Sequence, residues 1–225
     1  MKLKSITAAV ALLASGLASA TTTLNAGSYS VTYNETTAGF GWISSWFTSG
    51  SNVGFEWSVD PSVNVTSVGG AAASATFAIP DFTITVNPGY TLSGPLTGSL
   101  GNIVYFLNGS GATASLTATG TVSVDGGPAT TLPSAPLSQT VITPSFGYFA
   151  GSTTAPLGTF TSFAVTGASI TLNASGGSFA SIGAQPQNKL KFEFTATPVP
   201  EPETYALMLA GLGLVGFMAR RRQAR

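Results

Sequence analysis

Between Lys189 and Thr197 every second residue is apolar: Leu190, Phe192, Phe194 and Ala196 alternate with Lys189, Lys191, Glu193 and Thr195. A period of two belongs to an extended strand, whose side chains point to opposite faces in turn, and excludes a helix. The same period recurs through residues 21–198, where Thr and Val, both suited to a pleated surface, are abundant. Tyr29, Val31 and Tyr33 alternate, as do Phe82, Ile84 and Val86, which are followed by the breaker Asn87-Pro88-Gly89. Asn102 to Leu107 reads as a buried strand closed by Asn108-Gly109. Ala114 to Val124 is a Thr-rich strand ending in the turn signal Asp125-Gly126-Gly127-Pro128, and Phe160 to Val165 and Ile170 to Asn173 follow. No apolar run at i, i+3, i+4 interrupts them. The spacing predicts an all-β body over residues 21–197, a single antiparallel β-sandwich with jelly-roll-like or immunoglobulin-like connections.

One hairpin is specified further. All three tryptophans lie between residues 42 and 57, with Ser49-Gly50-Ser51-Asn52 in the middle. Phe40, Trp42 and Trp46 have even numbers; Val53, Phe55, Trp57 and Val59 have odd ones. Both sets reach one face only if opposed residue numbers sum to an odd value. That selects a two- or four-residue turn, such as Ser49-Gly50 or Ser49 to Asn52. A face this apolar is expected to be core. Left open to solvent, Trp42, Trp46 and Trp57 would instead form a platform for stacking sugar rings.

Composition removes whole classes of function. Charged residues are 7% of the chain, against roughly 25% in an ordinary soluble domain. Between the chain ends lie only Lys189 and Lys191 against Glu35, Glu56, Asp60, Asp81, Asp125 and Glu193, so the body is mildly acidic and suits no nucleic acid. There is no Cys and no His. Disulfides, thiolate sites, the commonest general base and the commonest metal ligand are all absent, and neither a metal nor another cofactor is expected. The carboxylates are scattered, no calcium loop of the D-x-D-x-D-G type occurs, and the body is expected not to be an enzyme.

The basic charge is at the ends, beside apolar runs. Lys2 and Lys4 precede the apolar stretch Ile6 to Leu17, and Ala18-Ser19-Ala20 is an A-x-A cleavage site. Residues 1–20 therefore read as a signal peptide for signal peptidase, cut after Ala20. At the other end, Thr204 to Ala219 holds 16 residues without a charge, bounded by Glu203 and Arg220. A helix of that length reaches about 24 Å, short of the roughly 30 Å hydrocarbon core, a gap that snorkelling and bilayer thinning would have to cover. This segment is expected to be a single transmembrane helix, with Arg220, Arg221 and Arg222 in the cytoplasmic stop, residues 220–225. Gly211, Gly213 and Gly216 spell a dinucleotide fingerprint, but that motif needs a crossover helix and a second strand after it, and the nine residues after Gly216, four of them Arg, supply neither; small residues in a membrane helix account for the glycines.

Val199-Pro200-Glu201-Pro202-Glu203, the apolar helix and the arginine cluster, in that order, closely resemble the PEP-CTERM sorting signal of Gram-negative bacteria, a region also labelled an ice-binding protein C-terminal domain. The resemblance covers about residues 199–225. It implies recognition by exosortase, a multi-pass membrane protease-transpeptidase that is thought to cut near the tripeptide. It also implies transient anchoring in the inner membrane, then release or re-anchoring at the cell surface, in cells that make exopolysaccharide. By position, Pro200, Glu201 and Pro202 become the recognition element in a Pro-rich strip, residues 198–203, which the three prolines hold extended. The expected function is an exported surface or extracellular-matrix protein with a structural or adhesive role associated with exopolysaccharide. The alternative is a carbohydrate-binding module on Trp42, Trp46 and Trp57. An ice-binding face built on Thr83/Thr85, Thr117/Thr119/Thr121 and Thr195/Thr197 lacks the fixed repeat such ladders need. A glycoside hydrolase would need two of the scattered acids to converge in a cleft.

Overall fold

The computed structural model describes residues 21–34, 40, 43–131, 139–143, 145–200 and 202–223. The described strands are β1 (Thr21–Asn25), β2 (Tyr29–Asn34), β3 (Ile43–Ser49), β4 (Asn52–Ser58), β5 (Asn64–Ala78), β6 (Phe82–Val86) and β7 (Tyr90–Asn108). They continue as β8 (Thr113–Val124), β9 (Thr130–Thr131), β10 (Gln139–Val141), β11 (Phe146–Ala155), β12 (Thr159–Phe160), β13 (Ser162–Gly183) and β14 (Lys189–Pro198). One helix, α1 (Pro202–Gln223), follows. Every strand pairing is antiparallel, so the all-β expectation holds.

Two long strands organise the sheet. β13 is flanked along one side by β5 and then β6, and along the other by the end of β7 and then β8. β7 is flanked by β14 and β13 on one side and by β12 and β11 on the other. The two expected strands at 160–165 and 170–173 are thus parts of β12 and one continuous β13, and the expected strand at 102–107 is the end of a longer β7.

Asn108-Gly109 closes β7, as its turn chemistry predicts, but it does not reverse the chain. β7 pairs with Phe179–Gly183, and β8, running the same way, pairs onward with the earlier residues of β13. The connection is a kink. It is matched by a bulge in β13 at Gly176 and Gly177, both with positive φ. A Cβ at Gly176 would overlap the carbonyl oxygen of Gly111, and one at Gly177 the carbonyl of Asn108, so the β7–β8 connection nests against bare backbone.

Asn87-Pro88-Gly89, by contrast, does turn the chain. β6 is bonded to β2 and β13, whereas β7 leaves to pair with β14. The Asn87 side chain fixes this corner, donating to Asn25 Oδ1 and the Gly27 carbonyl at 2.9 Å each and accepting from Ser30 Oγ at 2.8 Å. The core lies between the faces this corner brings together. Rings on β2 and β6 meet rings on β4 and β14, strands to which they are not hydrogen-bonded. Tyr29 lies 4.8 Å from Phe194, Tyr33 5.5 Å from Trp57, and Phe82 4.8 Å from Phe192 and 5.1 Å from Trp57. Most of these pairs are edge-to-face, the arrangement ring quadrupoles favour.

The tryptophan hairpin keeps its expected parity. Trp46 opposes Phe55, Thr48 opposes Val53 and Ser49 opposes Asn52, leaving Gly50-Ser51 as a two-residue turn. A one-residue shift near Ser44 then brings Ile43 opposite Trp57.

Candidate functional site

The C-terminal tail grows directly out of the sheet. β14 pairs with β7 as far as Pro198 opposite Tyr90, and the Val199 amide donates to the Gly89 carbonyl at 2.8 Å. Pro200 and Glu201 alone separate that bond from α1, which begins at Pro202. At the extended reach of the chain, such a connector spans about 10 Å. Proline suits the first helical position because its missing amide hydrogen would have no intrahelical partner. Glu203 in the first turn and arginines in the last complement the helix dipole. Pro200 is exposed; Glu201 lies outside the described residues, as do Ala18 and Ala20. Arg220, also exposed, lies with Arg221 and Arg222 in the last turns of α1.

The transmembrane expectation for Thr204 to Ala219 needs correction. No described helix is long and apolar enough to cross a membrane. The charge-free run is too short: any longer window takes in Glu203 or the arginines. Even so, the helix is apolar all round, and Leu207, Leu209, Leu214 and Phe217 are each more than 60% exposed. It has no polar stripe along which it could lie on water, so it requires an apolar partner.

Trp46 and Trp57 do not share an exposed surface. Trp57 is fully enclosed, packed on Phe55, Phe82 and Tyr33, so it offers no face to a sugar. Trp46, on edge strand β3, is 39% exposed, and Trp42 lies outside the described residues. Edge position decides the difference: β4 is covered on both sides by neighbouring strands, β3 on one. The hydroxyl arrays pair across strands, Thr119 with Ser169 at 3.0 Å and Thr121 with Thr166 at 2.9 Å.

The described acids of the β body are engaged by other groups of the protein. Glu56 accepts from Ser45 Oγ at 2.7 Å, Asp81 from the Gly167 amide at 2.8 Å, and Glu193 pairs with Lys191 at 3.0 Å. Among the described residues no group of three potential metal ligands assembles. Asp125 sits in the turn after β8, as its position predicts, but its carboxylate reaches across to the junction of β12 and β13. Its Oδ1 accepts from the Thr161 hydroxyl at 2.7 Å and from the Thr161 and Ser162 amides at 2.8 Å each. The Thr161 hydroxyl, followed by those amides, holds the Asp125 carboxyl below its ordinary range. Because the folded form has the lower pKa, this stabilisation is complete above about pH 4 and is lost as pH falls through the folded value. Asp125→Ala should therefore lower the melting temperature at pH 7, and thermal melts at pH 2 should show the difference from the parent closing. Between about pH 6 and 8 the parent's melting temperature should stay flat, since the chain has no His.

A second aromatic surface escaped sequence reasoning. On the outward face of β5, β13, β7 and β11, Phe106 lies opposite Phe146 on one side and Ser181 on the other. Tyr148 lies opposite Val104, and Phe179 opposite Asn108 and Val68. Phe106, Phe146 and Tyr148 are 43%, 59% and 55% exposed. Phe106 contacts Phe179 at 5.8 Å, and Phe146 contacts Tyr148 at 5.4 Å. Beside them is an open cleft of about 280 Å³, lined by Asn64, Thr66, Val104, Ser181, Gly183 and Gln185 among others. The sequence signal was present in the alternation Phe146-x-Tyr148. Alternation identifies a shared face; only strand pairing says which face is dry.

The comparisons bear on the tail. The PEP-CTERM protein-sorting motif matches residues 198–222, so the suspected resemblance holds and the chain carries this motif. The motif implies an exported protein processed by exosortase. No curated protein sequence matches the chain. A solved chain from infectious bursal disease virus, Gx strain, is similar at 14% identity and a TM-score of 0.22, over 84% of this chain. This chain spans 60% of that one, and a likeness so loose supports no conclusion about fold or function.

Proposed function

We propose that this chain is an exported, non-enzymatic surface or matrix protein of a Gram-negative cell. Its tail is an exosortase address, and its β body, a two-layered sandwich, does structural or adhesive work among exopolysaccharide. One observation carries the reading: the sorting motif starts on the last residue of β14, Pro198, spans the last sheet hydrogen bond at Val199, and continues through an all-round apolar helix closed by arginines. A folded body is thereby tied by two residues to a segment that cannot remain in water. The apolar run alone falls short of the hydrocarbon core, which suits a helix held briefly in thinned lipid or against a multi-pass enzyme. The sandwich is supported by the ring contacts between the β2/β6 and β4/β14 faces. The non-enzymatic reading is supported by the lack of His and Cys and by acids whose carboxylates are engaged by hydroxyls and amides of adjoining segments.

The test compares mature mass and location in cells with and without the sorting protease. The expected result is loss of the tail and departure from the membrane only when the enzyme is present, with Pro200→Ala/Pro202→Ala blocking both. An unchanged mass and permanent membrane residence in both strains would reject the reading.

A further inference from the structure

We propose that the outward face of β5, β13, β7 and β11 binds an uncharged polysaccharide chain; this deepens the adhesive reading above and rests on it. Phe106, Phe146, Tyr148 and Phe179 give the face its rings, and aromatic side chains of that size ordinarily go to the core. Here they stand on three adjacent strands in register, while Tyr105 and Phe149, on the opposite face of β7 and β11, fill the interior and contact each other at 4.9 Å. The alternation is therefore correct for both faces, and the outer rings are not a core displaced by a shift in register.

The chemistry beside the rings selects the occupant. The cleft contributes the amides of Asn64 and Gln185 and the hydroxyls of Thr66 and Ser181, with Asn64 packed against the bare backbone of Gly183 and donating to the Pro61 carbonyl. Among the described residues, no charged side chain lines the cleft or lies among the register neighbours of the four rings. A face without charge complements a ligand without charge and offers nothing to a nucleic acid, an anionic polymer or a lipid headgroup. Protein interfaces also gather rings but set arginine beside them at their centres; on this face the arginine is missing, and uncharged donors and acceptors stand beside the rings instead. Sugar rings present the matching surface, with C–H groups on their faces and hydroxyls on their edges. Across four strands the face extends about 14 Å, room for a short run of sugar units.

The test is affinity electrophoresis of the full chain in detergent through gels containing hydroxyethylcellulose, laminarin or dextran, with alginate as the anionic comparison. Expected is retardation by at least one of the three neutral polymers and none by alginate. Phe146→Ala/Tyr148→Ala should weaken it by roughly tenfold or more. Thr66→Arg, which places bulk and charge in the cleft, should do the same, while Trp46→Ala leaves it unchanged. Both sets of substitutions are at exposed positions, and unchanged melting temperatures would confirm that the variants fold. No retardation by any neutral polymer overturns the site, as does retardation that Phe146→Ala/Tyr148→Ala leaves intact. Retardation lost only in Trp46→Ala overturns this site and moves adhesion to the β3/β4 edge. Dimerisation in sedimentation runs that Phe146→Ala/Tyr148→Ala abolishes, without glycan retardation, makes the face a self-interface and also overturns it. Failure of the sorting reading is separate, because it appears as unchanged mature mass in cells.

Discussion

Phe82→Ala is expected to lower the unfolding free energy by about 3–5 kcal/mol. Phe82 is 2% exposed, and its ring touches Phe55 at 5.5 Å, Trp57 at 5.1 Å and Phe192 at 4.8 Å. Those partners sit on β4 and β14, which share no ladder with β6 and are linked to it only by way of β13 and β7, so the ring joins strands directly that the backbone connects at a distance. Removing it leaves a cavity that stiff neighbouring rings cannot close. Denaturant titration of the parent and variant measures the effect, and a loss below about 1 kcal/mol would show that the faces do not meet there. At roughly 2–4 °C per kcal/mol for a chain of this size, thermal melts give the same answer.

Gly176→Ala is expected to cost as much or more, about 4 kcal/mol, because two penalties coincide. The first is the left-handed backbone, with φ at 72°, which costs an L-residue about 1–2 kcal/mol. The second is the overlap of the new Cβ with the Gly111 carbonyl, backbone that cannot swing aside. Gly50→Ala separates the two. Gly50 has a φ of 64° but nothing within 4 Å of an added Cβ, so only the first penalty applies. Equal losses in the two variants would mean that the β7–β8 connection is not seated on the β13 bulge. The consequence reaches the surface as well: this kink lets β13 pass from β8 to β7, and that exchange brings Phe179 beside Phe106.

Much of the local structure was legible because it rests on neighbours in sequence. β6 spans Phe82–Val86 as its alternation requires, β14 covers Lys189–Pro198, and the β3/β4 register follows from the parity of its aromatic residues. The sorting strip and its arginines were legible for the same reason, since their order along the chain is itself the signal. Asn108-Gly109 was legible as the end of β7, but not the course of the chain beyond it, because turn chemistry fixes the dihedrals of one or two residues and leaves open where the following strand pairs. That the tryptophan face is core was legible from hairpin parity and holds for Trp57, but how far the cover reaches was not, because the rings that close over it come from β2 and β6, other parts of the chain, and leave Trp46 at the edge partly open.

From the sequence alone came the strand period, the missing bases, the length of the apolar run and the order of the tail. All of these are set by covalent connection and by the nature of each side chain. Tertiary structure decided which aromatics are dry and which are wet: Trp57 sealed in, and Phe146 and Tyr148 left in solvent. A strand has two faces of equal standing until another layer covers one of them, and the residues that do so lie tens of positions away along the chain.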